Sequence, residues 1–271
     1  MKIHLSNNAN EQSEQSLPRP SLPAAEPPDW TAIEADFLET SRRLNLHLSP
    51  DQMDRFRNYA NRLIDWNRRV NLTAIMDAHG IFLRHFVDSL MALVALPPSK
   101  PGQFVSCIDI GTGAGFPGVP LKIMRDDLDL TLLDSVGKKT AFLRDLVPAL
   151  DLEHVEVVTG RAEDIGRSPD HRERYQVVLS RAVARLPALV EYLLPLCGLG
   201  GVAVAMKKGD IGGELAEARR ACRILGGGEP GVVSVTAPGL DDGRVLVCVR
   251  KVNPTPDRYP RRAGTAAKSP L

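Results

Sequence analysis

The stretch CIDIGTGAGFPGVPL, Cys107 to Leu121, decides how the rest of this chain is read. An apolar run gives way to clustered glycines and two prolines, then to a second apolar run, which is a buried strand turning sharply into a helix. Two glycine patterns overlap in it. From Gly113, the spacing Gly113-x-Gly115-x-x-Gly118 matches a dinucleotide fingerprint; from Asp109, Asp-x-Gly-x-Gly-x-Gly matches a methyl-donor loop.

Spacing alone does not separate the two, but charge does. A dinucleotide sets a pyrophosphate on the helix amino end, so the loop must offer free N–H groups and keep carboxylates away. Here Asp109 precedes the glycines, and Pro117 and Pro120 remove donors from the helix start. S-adenosylmethionine has no phosphate and carries a sulfonium and an ammonium, which an acid beside the loop suits. Gly111, Gly113 and Gly115 then permit tight turning under the ligand. Asp134, closing LTLLDS, is placed to meet ribose hydroxyls in either cofactor class, and Ala162 and Glu163 of GRAED follow the third strand as candidates for adenine.

Working outward, short apolar runs alternate with helical segments, the rhythm of a parallel sheet covered by helices. Strands are predicted near 104–110, 128–134, 155–159, 175–180 and 201–207, and helices near 117–126, 136–150, 186–197 and 211–224. Two further runs, VVSVTA and RVLVCVRKV, joined by PGLDDG, predict an antiparallel hairpin closing one edge. The expected fold is α/β: a doubly wound, Rossmann-like sheet over 99–253, mostly parallel with an antiparallel strand at one edge.

Residues 29–98 have helical periodicity throughout. Ser49, Pro50 and Gln52 form a capping box with proline in the first turn, and Met53, Phe56, Ala60, Leu63 and Ile64 fall on one face. Another helix, about Asp77 to Leu96, turns Phe82, Phe86, Leu90 and Leu93 inward, so an N-terminal cap of three helices is expected. Residues 1–28, polar and then proline-rich, are too poor in large apolar groups to order themselves and read as a disordered extension. The segment 254–271 reads as a basic tail: from Arg244 onward seven Arg or Lys face Asp257 alone, which suits a phosphate-bearing partner or a solvated end.

With 271 residues, 43% of them hydrophobic, and a net charge of +1, the composition supports one large domain with an appendage and shows no global preference for nucleic acid or membrane. The four cysteines never form C-x-x-C, so no metal site or redox pair is signalled. Without a signal-like or membrane-spanning apolar run, a soluble, cytoplasmic monomer is expected.

Methyl transfer requires nucleophile and sulfonium in line. The position of an exocyclic-amine loop reads SRAVARLP, and Cys197 follows Leu196 and not proline, which argues against amine and cytosine-C5 chemistry. A ring nitrogen such as guanine N7 needs positioning but no base. Arg181, ending the fourth strand, is the candidate catalytic group, with an ion pair to Glu163 or another loop acid as its structural alternative. Lys207 and Lys208 stand on the same rim, as phosphate contacts or solvated charges. His85 reads as a packing residue partnered by Asp88.

Taken together, NLTAI (71–75), RHFVDSL (84–90), DIGTGAGFPGVPL (109–121), LLDSVGKKTAFL (132–143), GRAED (160–164), SRAVA (180–184) and YPRRAGTAAKSPL (259–271) make the sequence resemble the bacterial ribosomal RNA small subunit methyltransferase G, or glucose-inhibited division protein B, family. The resemblance implies a class I methyltransferase that transfers a methyl from S-adenosylmethionine to N7 of a guanosine in the decoding-site loop of 16S ribosomal RNA. It implies that Gly111 and Phe116 line the methionine and adenosine pocket, that Asp134 meets the ribose and Ala162 and Glu163 the adenine, and that Arg181 serves the cofactor and guanine side. Arg261 and Arg262 of the basic ending would contact RNA of the small ribosomal subunit. Two other readings stand beside it: an NAD-dependent oxidoreductase on the same loop, and a non-catalytic RNA-binding module.

Overall fold

The structure, a computed structural model, describes residues 28–271. The expected disordered extension, apart from Pro28, lies outside the described residues. Seven strands, β1 (Val105–Ile110), β2 (Leu128–Asp134), β3 (Val155–Thr159), β4 (Tyr175–Arg181), β5 (Cys197–Lys208), β6 (Gly231–Ser234) and β7 (Arg244–Arg250), form one sheet in the order β3-β2-β1-β4-β5-β7-β6. The first five run parallel; β7 lies antiparallel between β5 and the edge strand β6, so the predicted hairpin closes one end of the sheet. The order reverses between β1 and β4, and the carboxyl ends of the strands there carry Ile110, Asp134 and Arg181.

The central strands are apolar on both sides because both faces are covered. Cys107, Leu130, Leu132, Val177, Leu179 and Val204 face one core, and Ile108, Ile110, Leu133, Val178, Ala203 and Ala205 the other. The first core is shared with the N-terminal helices, whose Phe37, Phe56, Tyr59, Leu63, Phe86 and Leu90 are buried in the same cluster. Each such side chain contributes about 1.5–3 kcal/mol by leaving water, and together they seat the cap directly on the sheet.

The cap comprises helices Trp30–Arg43 and Pro50–Asn67 and a third over Ala78–Ala95. The Ser49–Gln52 capping box forms in both directions. The third helix passes through a π-helical turn, Phe82–Val87, a feature that often marks functional sites. The helix after β4 ends at Leu193, and β5 starts at Cys197, earlier than its periodicity suggests. Gly198, Gly200 and Gly201 are poor helix formers, and a Cβ at Gly201 would stand 2.8 Å from the Gln176 carbonyl, so the chain passes there as tightly paired strand.

Candidate functional site

Between β1 and the helix Gly118–Met124 the glycine loop spends its own hydrogen bonds. The N–H groups of Gly111 and Thr112 donate to the Leu133 carbonyl, those of Gly115 and Phe116 to the Thr112 carbonyl, and that of Gly118 to Asp109 at 2.9 Å. Gly113 N–H donates to Asp134 Oδ2, also at 2.9 Å. With these donors engaged and Pro117 lacking one, the loop is a poor cradle for a pyrophosphate, which argues against the oxidoreductase reading.

Asp109 is completely buried beneath this loop and does not face a ligand. Its Oδ2 accepts from the Thr112 hydroxyl at 2.7 Å as well as from Gly118, while Oδ1 has no partner, and burial pushes the carboxyl up to about 6. This corrects its expected role: Asp109 braces the loop from below. Gly115 and Phe116 are corrected likewise. A Cβ at Gly115 would lie 2.7 Å from the Tyr59 hydroxyl, in a backbone with φ +103°, so this glycine admits the cap. Phe116 is buried in a stack, with Tyr59 at 5.3 Å and His85 at 4.4 Å between ring centroids.

Beside the loop lies a cavity of about 460 Å³ bounded by Gly111, Asp134, Ala162, Glu163, Val183 and Tyr192. Val183 leans over the glycines so closely that a Cβ at Gly111 would sit 2.4 Å from it, whereas one at Gly113 would meet only the Gly111 carbonyl, at 4.0 Å. Asp134 is buried; its Oδ1 accepts from Val136 N–H at 2.9 Å, and Lys139 pairs with it at 3.6 Å. Glu163 is buried with Oε1 held by Gly264 N–H at 2.8 Å. Two anchored carboxylates, no free donor set for phosphate and the glycine Gly111 in the wall fit a sulfonium nucleoside. Asp134 would hold the ribose, Glu163 the base, and Gly111 and Gly113 would admit the amino-acid end.

A larger cavity of about 880 Å³ opens on the other side of Ala182, which lines both. Arg181, expected on the cofactor and guanine side, lines this second cavity and is absent from the wall of the first. Neither Glu163 nor any loop acid pairs with it. Its guanidinium binds Asp88 Oδ2 at 2.7 Å and donates to His85 Nδ1 at 3.2 Å, lying 4.9 Å above the Phe116 ring. Asp88 also binds Arg244, so one buried carboxylate joins the cap to β4 and β7. His85 therefore pairs with Arg181 and, through Nε2 at 2.8 Å, with Thr73; Asp88 is not its partner.

Since arginine only donates, His85 Nδ1 must accept and Nε2–H donates to Thr73. Burial, helped by the Arg181 charge, pushes His85 down to about 3, so it is neutral. Between about pH 6.5 and 3 the unfolded chain takes up a proton that folded His85 refuses, so stability is lost as pH falls. Asp109, protonating first in the folded state, opposes this less strongly above about pH 5. Relative to the parent chain, His85→Gln should therefore be more stable at about pH 5 than at about pH 7 by about 1–2 kcal/mol. Urea unfolding at both values measures it; an identical difference at the two would contradict the assigned neutrality.

Two of the four expected phosphate contacts are otherwise engaged. Lys207 donates to the Ala184 carbonyl at 2.9 Å and pairs with Glu214 at 2.7 Å, pinning the β4 loop to β5. Arg261 forks onto the fully buried Glu191 at 2.6 Å. Lys208 and Arg262 remain exposed. The basic ending is thus strapped to the domain at Thr255, Tyr259, Pro260, Arg261 and Ala266 with Arg258, Arg262 and Lys268 exposed, and Gly264 and Ala267 within it complete the smaller cavity, a role the sequence did not signal. Tyr192 and Val183 were also missed as wall residues, since nothing local marks an apolar helix or loop residue as facing a cavity. Among the described residues no cluster of His, Cys, Asp and Glu could hold a metal ion.

A family model described as rRNA small subunit methyltransferase G matches residues 52–241. The ribosomal RNA small subunit methyltransferase G of Roseiflexus sp. (strain RS-1) is 49% identical over 235 residues, covering 87% of this chain and 98% of that protein. The protein of that name from Desulforamulus reducens is 43% identical over 233 residues, covering 86% and 96%. Among solved structures, the selenomethionine-substituted CurJ carbon methyltransferase superposes with a TM-score of 0.50 at 12% identity, covering 82% of this chain and 71% of that one, a likeness of fold alone.

Proposed function

The chain belongs to the rRNA small subunit methyltransferase G family, and from that premise we propose that its two cavities bring S-adenosylmethionine and a guanosine of 16S ribosomal RNA together across Ala182. The single observation carrying this reading is that shared wall. A nucleoside-sized cavity and a larger open one meet at one residue, directly after the clamped Arg181. When bound, S-adenosylmethionine supplies an electrophilic methyl group whose positive charge passes to the guanine ring. The in-plane N7 lone pair needs no deprotonation, so no general base is required of the chain.

What the chain does is position and balance charge. With Asp88 and the Arg84 carbonyl taking the two Nη1 donors of Arg181 and His85 one of its Nη2 donors, Nε–H and the other Nη2–H remain to meet guanine O6, leaving N7 free to attack. Asp88, Glu214, Asp241 and Asp242 line the larger cavity and offset the cations around it, which suits a product that carries the charge. Exposed Lys208 and Arg84 on the same rim would meet flanking phosphates. The reading is of a cytoplasmic monomer acting on RNA of the small ribosomal subunit.

The test is to incubate the purified protein and labelled S-adenosylmethionine with 16S rRNA or small subunits from cells lacking the gene, then digest and analyse nucleosides. One N7-methylguanosine in the decoding-site loop is expected. Absence of transfer, or a methyl on any other atom, overturns the proposal.

A further inference from the structure

The strap that completes the smaller cavity is held by three cations, of which Lys251 is fully buried and Arg172 and Arg261 half-buried. Lys251, fully buried, donates to the Leu194 carbonyl at 2.7 Å and pairs with Glu173 at 3.0 Å. Arg172 donates to the carbonyls of Thr255 and Tyr259, both at 2.7 Å. Arg261 forks onto Glu191, which also accepts the Arg261 backbone N–H at 2.8 Å. Fixed by these contacts, the chain turns at Gly264 with φ +79° and presents its N–H to Glu163 Oε1.

A carboxylate has two oxygens, and committing one to a rigid donor fixes the direction of the other. Glu163 Oε2 has no hydrogen-bond partner among the described residues, and Glu163 lines the cavity together with Gly160, Ala162, Gly264 and Ala267. Small residues on both sides of an oriented acceptor make a slot for a planar group that brings a donor in its own plane. A 6-amino purine supplies that donor; a 6-oxo purine presents an acceptor there and would face the carboxylate with like polarity.

Resting on the cofactor reading above, we propose that the C-terminal strap is a specificity element: Gly264 N–H orients Glu163 so that the cavity selects the exocyclic amine of adenine. Without the strap contact Glu163 is free to swing toward water, and selection between the two purines is lost while the cavity persists. Gly264 and Arg261 are on this view positioning residues, acting through Glu163.

The experiment compares calorimetric binding of S-adenosylhomocysteine with that of S-inosylhomocysteine. A hydrogen bond to a charged acceptor predicts that the full-length parent protein prefers the adenosine compound by ~10–100-fold. In Gly264→Val the preference should fall below ~3-fold. A Cβ there meets no protein atom within 4 Å, so within the protein the change acts by displacing a left-handed turn that a β-branched residue resists. Arg261→Lys, which keeps a charge opposite Glu191 but loses the fork, should also lower the preference, to a smaller degree. If the strap merely stabilises the fold, both ligands weaken by the same factor and the preference survives in both variants, which overturns this proposal alone. Failure of the parent protein to bind S-adenosylhomocysteine overturns the cavity reading and this proposal with it.

Discussion

Arg181→Ala is expected to slow methyl transfer by about 10²–10³-fold while weakening S-adenosylhomocysteine binding by no more than about threefold. The asymmetry follows from geometry. Arg181 lines the larger cavity and not the smaller, so its loss removes a donor from the base and leaves the cofactor walls intact. The fold should survive, because Asp88 retains Arg244 and is not left as an unpaired buried charge. Arg181→Lys should recover little, since an ammonium's three donors sit on one atom and cannot span Asp88, His85 and the base as the planar guanidinium does. Single-turnover transfer alongside calorimetric binding measures both quantities; a rate within tenfold of the parent would show that Arg181 is only an ion-pair partner.

The second large effect concerns Asp134, whose replacement by alanine should raise the dissociation constant for S-adenosylhomocysteine by about 100-fold or more. Its carboxylate accepts from Gly113 and Val136 N–H, so truncation leaves two donors unpaired and loosens the glycine loop while removing the acceptor for a ribose. Together these terms are worth about 3 kcal/mol. Asp134→Asn keeps an acceptor oxygen and should lose nearer tenfold. An affinity within threefold of the parent in the alanine variant would refute the placement of the cavity.

The strands were legible because a parallel sheet covered on both faces forces continuous apolar runs, and those of β1, β2 and β4 end where the turn residues say. The capping box at Ser49 was legible because its partners lie three residues apart. What escaped was pairing between charges distant in sequence. Arg181 meets Asp88 across 93 positions and Arg261 meets Glu191 across 70, and no local pattern records either. The same blindness made Asp109 look like a ligand acid: its residue type shows a carboxylate next to glycines, whereas only burial shows that the carboxylate points into the loop's foundation. Lys207 and Arg261, candidates for phosphate contact, likewise hold internal partners in Glu214 and Glu191.

The core shared between cap and sheet also bears on how the protein opens. Tyr59, Phe86, Phe116 and His85 interlock across that junction, and Asp88 ties the same helix to β4 and β7. Elements so joined are expected to exchange their amide hydrogens only through global unfolding, which native-state hydrogen exchange would measure. Fraying of the helix Ala78–Ala95 would disarm Arg181, so no inexpensive excursion of the cap can admit a substrate.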